Sequence, residues 1–162
     1  MTDHASAVQQ VHRHESRSLN RSAFTATTHC LIGCAIGEVL GMAIATALGW
    51  SNAPSIGIAI VLAFVFGYSL TLGPVLRAGV PLHRALPLAF ASDTASITVM
   101  EIVDNVFILV VPGALDAGLG DGLFWWSIGV GFAIAFVFAF PLNRWLIARG
   151  RGHAVVHEFH GH

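Results

Sequence analysis

The sequence predicts an all-α fold: a polytopic membrane four-helix bundle with both termini on the cytoplasmic side. Three observations carry this expectation. Of 162 residues, 55 % are hydrophobic and only 10 % charged, against about 25 % charged in ordinary soluble domains. Mean hydropathy is +0.72, and the apolar residues gather into four runs, each long enough to cross about 30 Å of hydrocarbon as a helix. Finally, the eight cations are all Arg, and they fall only in alternate connections. With no Lys and a formal net charge of −1, the chain has no sustained basic patch, which sets nucleic acid aside as a partner.

Residues 1–23 read as a polar tail containing Arg13, Arg17 and Arg21. The first span covers about 24–48. Its apolar run is long and Gly-rich and lacks a small-x-small cleavage site, so it is expected to be retained rather than removed as a signal peptide. "GWSNAP" ends it with turn chemistry, and the second span follows at 54–72. "GPVLRAGVPLHRALP", with three prolines, leads to the third span at 84–111. "PGALDAGLGDG" precedes the fourth at 122–147, so the transmembrane domain is 24–148 and a His-rich tail occupies 149–162. Asp121 is placed to cap the fourth helix.

Arginine counts before, between and after the spans run three, none, two, none, three. Short positively charged loops stay in the cytoplasm, so an even number of spans with both termini inside fits. Trp50, Trp125 and Trp126 would then lie at the outer interface and Trp145 at the inner one, where amphipathic rings prefer to sit.

Within the first span, "TTHCLIGCAIGEVLGM" places His29, Cys30, Cys34 and Glu38 in otherwise apolar sequence. Cys30, Cys34 and Glu38 are spaced i, i+4, i+8 and drift only about 40° per step around a helix, so they form one stripe. Gly33, Gly37 and Gly41 form a second stripe beside it, the small-xxx-small pattern that lets another helix approach closely. The third span carries "SDTASITVMEIVDN", in which Asp93, Met100, Glu101 and Asp104 fall within an arc of about 100°. If spans one and three are neighbours, two polar ladders face each other at matched depth.

An ionised Asp near a helix centre costs about 2.5–3.5 kcal/mol on insertion scales, so three or four uncompensated acids would cost on the order of 10 kcal/mol. The interior of the spans contains no Lys or Arg; Arg84 and Arg144 lie at or near span ends, and His29 is the one internal candidate for a counter-cation. The acids must therefore be protonated, hydrated in a cavity, or paired with a cation. For the thiols three uses are open. They can pack as small buried hydrophobes, ligate a soft metal with His29 and Glu38, or cycle as a redox pair, although i, i+4 is at the long end of disulfide reach. For the acids, the structural alternative is neutral carboxyls bonded to Ser96, Thr98 and Asn105 as interhelical glue. In the tail His153, His157, His160 and His162 are candidate chelators.

The segments "HCLIGCAIGEVLGM", "EIVDN", "PGALDAGLGDGLFWW" and "PLNRWLIARGRGHAVVH" resemble an uncharacterised family of small bacterial four-span membrane proteins, domain of unknown function 4396. The resemblance covers nearly everything after residue 24 and implies the bacterial inner membrane, but carries no activity over. The physical argument alone gives the functional expectation: a non-enzymatic protein that binds or conducts a cation, either a transition metal such as copper or protons. His29, Cys30, Cys34 and Glu38 would be the metal ligands, for a copper or zinc ion, and Asp93, Glu101, Asp104 and Met100 the continuing path. The alternatives are a small assembly or accessory subunit whose Gly stripe docks a partner, and a thiol oxidoreductase. The expected partners are the lipid bilayer and either a second copy or another membrane protein.

Overall fold

The computed structural model describes residues 3–77, 79 and 81–149. They form four long helices, α1 (Asp3–Leu48), α2 (Asn52–Arg77), α3 (Leu82–Val110) and α4 (Gly122–Ala148), with one short 3-10 turn at Ala114–Asp116. Glu15–Leu48, Asn52–Gly73 and Gly122–Ala148 are long and apolar enough to cross a membrane. Helix α3 is as long, at 29 residues, but Asp93, Glu101 and Asp104 interrupt its apolar character.

Helix α1 starts some twenty residues before the apolar run. No Gly or Pro occurs before Gly33, so nothing in the polar segment breaks the helix; polarity marks the edge of an apolar run, not the edge of a helix. This extension is tied down. Ala23 and Ala26 pack with Ile147, and Arg144 Nε donates to Asn20 Oδ1 at 2.7 Å. Gly49 ends α1 at φ +64°, where Trp50 N donates back to Ala45 O at 2.9 Å, a left-handed cap that favours glycine. Asp121 does occupy the position before α4, yet it makes no side-chain cap. Its carboxylate instead accepts the Gly118 N–H at 2.8 Å.

The helices run up and down around a square, each packed on its sequence neighbours, with α4 closing against α1. Helices α1 and α3 are therefore diagonal rather than adjacent, but they meet across the core. Small residues make this compactness: Ser55, Ala59, Ala63, Gly67 and Thr71 form an i, i+4 stripe buried on α2, and Ser127, Gly131, Ala135, Ala139 and Asn143 form one on α4. Bulk comes from Ile97 and Met100 of α3 with Phe124, Ile128 and Phe132 of α4. Outside, Ile102, Val106, Leu109 and Val110 of α3 are exposed, as are all four Trp.

Candidate functional site

The two stripes of α1 face different neighbours because consecutive residues are separated by about 100°. A Cβ built on Gly33 would stand 2.6 Å from Gly67 Cα, and one on Gly41 2.6 Å from Ala59 Cα, with Ala63 equally close to Gly37. The glycine stripe thus docks α2 of the same chain, leaving the thiols and Glu38 turned toward α3.

Across the core the polar groups meet in tiers. Near the end that carries the α1–α2 and α3–α4 connections, the Glu38 carboxyl interacts with that of Asp104. Asp104 is 1 % exposed, and neither of its oxygens reaches full hydrogen-bonding geometry with a protein group. It fits only because α4 has no side chain there: a Cβ on Gly131 would run into Asp104 Oδ1. One turn along, the Cys34 thiol interacts with the Glu101 carboxyl, while Asn105 Nδ2 donates to the Glu101 backbone oxygen at 2.8 Å.

In the next tier Cys30 interacts with the Ser96 hydroxyl and lies near Asp93. Ser96 Oγ accepts from Asn143 Nδ2 at 3.0 Å, and the same nitrogen donates to Thr27 Oγ1 at 2.9 Å. Thr27 in turn donates to Ala23 O at 2.7 Å. Helices α1, α3 and α4 are joined at this buried node. At the opposite end the seam opens beside Glu38 into a cavity of about 400 Å³.

Of the sequence-predicted residues, Cys30, Cys34, Glu38, Asp93, Glu101 and Asp104 are brought together in this seam. Met100 is fully buried in the apolar core alongside it. His29 is half-buried next to Cys30, and Thr98 is exposed and does not join. Among the described residues no three His, Cys, Asp or Glu side chains converge so as to hold a metal ion. The reason is geometric: ligands spaced by one turn rise about 5.4 Å per step, and each thiol or carboxyl is matched to its own partner on α3. His153, His157, His160 and His162 lie outside the described residues. Thr27, Ser127, Gly131 and Asn143 were not singled out from the sequence. Their signal was the i, i+4 run of small residues on α4, which contains three of them.

Both cysteines are free thiols, 2 % and 0 % exposed. Maleimide should label them at least about tenfold more slowly in the folded protein than after denaturation, since access requires the helices to part. Mass spectrometry of the labelled protein checks this, and rapid native labelling of Cys34 would contradict the burial.

A family model described as Domain of unknown function (DUF4396) matches residues 19–152. No curated protein and no solved structure matches the chain.

Proposed function

We propose, on the premise that the chain belongs to the DUF4396 family and inherits no activity from it, an integral membrane protein whose polar seam relays protons. All four helices cross the bacterial inner membrane, with both termini in the cytoplasm. For α3 the support is its two-sidedness: Asp93, Glu101 and Asp104 are 8 % exposed or less, whereas Ile102, Val106, Leu109 and Val110 are more than half exposed. Such a helix presents hydrocarbon to lipid and its acids to the bundle interior. The alternating arginine counts support the orientation.

The observation that carries the proposal is the stacking of Glu38 with Asp104 and Cys34 with Glu101, continued by Cys30 and Ser96, whose hydroxyl is held in place by the donating amide of Asn143. No Lys or Arg occurs from residue 22 to 76 or from 85 to 143. Neutrality along the middle of the seam therefore comes from protons or from a passing cation. Carboxyl, thiol and hydroxyl groups each both donate and accept, as a relay requires. A proton needs no three-donor site, which makes it the better match than copper or zinc to side chains paired two by two.

Reconstituted into liposomes with an internal pH dye and a potassium diffusion potential, the protein should move protons. Glu38→Gln and Asp104→Asn should each lower the flux at least about tenfold, because intramembrane acids on a path are rarely replaceable. Cys30→Ser, which keeps a donor and acceptor, should retain it. Flux no greater than in empty liposomes, or flux untouched by Glu38→Gln, would sink the proposal. Copper or zinc that co-purifies without chelator and is lost in the Cys30→Ser, Cys34→Ser double variant would replace protons by a metal.

A further inference from the structure

The cavity beside Glu38 is larger than proton transfer requires. At about 400 Å³ it has room for many times the roughly 30 Å³ of one water, and it falls within the ordinary range of small-molecule sites. It lies between the α1–α2 connection and the 3-10 turn, and its wall has two chemistries. Met42, Ile56, Ile108 and Phe124 supply an apolar side. Glu38, Asp116, Asn52 and Asn105 supply the polar side.

The polar side has one sign. Among the described residues no Arg, Lys or His lines the cavity. Asp116, at the exposed rim, accepts from a neutral donor, Asn52 Nδ2 at 3.1 Å. Glu38 is backed by Asp104, a side chain 99 % withdrawn from solvent whose oxygens have no partner at full hydrogen-bonding geometry. Trp50 adds an aromatic wall, a surface that attracts cations through its ring face. An anion would meet two carboxylates and no counter-charge. A neutral apolar molecule would set the carboxyls of Glu38 and Asp116 against apolar surface, which costs free energy.

We propose that this cavity binds a small amphipathic organic cation, an ammonium whose charge lies against Glu38 and whose apolar body lies along Met42, Ile56, Ile108 and Phe124. The inference rests on the proposed seam only in taking Glu38 as an available acid. It names a ligand class for the mouth of that seam.

Three molecules of one shape and different charge test it: 4-phenylbutylamine, 4-phenylbutanol and 4-phenylbutyrate, titrated calorimetrically into the full-length protein in dodecyl maltoside. The amine should bind saturably, the alcohol at least about tenfold more weakly, and the carboxylate not at all, as expected where one charge sign is selected. Glu38→Gln should weaken the amine at least about tenfold. Leu115→Trp, on the short connector and with Glu38 intact, should do the same by filling the cavity. Circular dichroism matching the wild type establishes that both variants are folded.

No saturable amine binding, equal binding of amine and alcohol, or indifference to Glu38→Gln would each overturn the inference. Competition by added phosphatidylcholine identifies a lipid headgroup as the source of the ammonium, and its absence a free amine; both outcomes support an ammonium site. Proton flux without amine binding overturns this inference alone. Amine binding without proton flux overturns the proposed relay alone.

Discussion

Gly37→Leu is expected to prevent the chain from folding into its bundle, and Gly37→Ala to destabilise it by about 1–3 kcal/mol, the usual cost of overpacking. At Gly37 even a single Cβ would stand 2.5 Å from Ala63 Cα and 2.7 Å from the Leu62 carbonyl carbon, and closer still to Ala63 N. These are backbone atoms, so no rotamer change relieves the clash, and α1 and α2 must separate. Gly33 and Gly41 repeat the same contact one turn on either side, so separation at Gly37 loosens the whole α1–α2 seam. In a bilayer that loss falls on the van der Waals packing that holds helices together. The control is Gly57→Ala. Gly57 has nothing within 4 Å of its would-be Cβ, so alanine there should be neutral or stabilising by about 0.5–1 kcal/mol through helix propensity. Unfolding in mixed micelles measures both variants, and maleimide labelling of Cys34 reports separation directly. Equal stability of Gly37→Ala and Gly57→Ala would contradict the backbone contact.

That contact shows where the sequence was legible. The four helices were readable because turn chemistry separates them, and four of their ends, at Leu48, Val110, Gly122 and Ala148, lie within one residue of expectation. The N-terminal end of α1 was not, because hydropathy reports the solvent while helix continuation depends on the absence of breakers. Helix α2 runs through Pro74 to Arg77, since one missing donor near a helix end does not force a stop. The two stripes of α1 were visible as periodicity, and their angular offset as well. Which neighbour each stripe would meet was not visible, because periodicity fixes a face and not its partner. The diagonal placement of α1 and α3 follows from short connections that make each helix pack on the next. Neutral polar residues are legible beside the acids of α3, as Ser96 and Asn105 are, but not on α1 and α4, where no acid adjoins Thr27 or Asn143. Asn143 sits one residue before Arg144 and reads as an interfacial residue, yet it is 3 % exposed and bonds two other helices.

Gly131→Ala is the second large expected effect, and it should act through Asp104 rather than through α4 itself. The Asp104 carboxyl occupies the volume that any side chain at 131 would need, with Asp104 Cγ 3.1 Å and Phe107 Cδ1 3.4 Å from the would-be Cβ. Alanine must turn the carboxyl out of its notch or push α4 away, and either displaces Asp104 from Glu38. Proton flux through reconstituted Gly131→Ala should therefore fall toward that of Asp104→Asn although every acid is retained. Stability should fall too, and the loss should be non-additive. With Asp104→Ala the notch is empty, and alanine at 131 then fills space instead of invading it. A double-mutant cycle over Asp104→Ala and Gly131→Ala should show a favourable coupling of about 0.5–3 kcal/mol, the range found for residues in direct contact. The double variant should regain stability relative to Gly131→Ala while carrying no flux, because the acid itself is gone. Additive losses would mean that Gly131 serves only the packing of α4. Restored flux in the double variant would remove Asp104 from the relay and leave Glu101 and Glu38 to carry it.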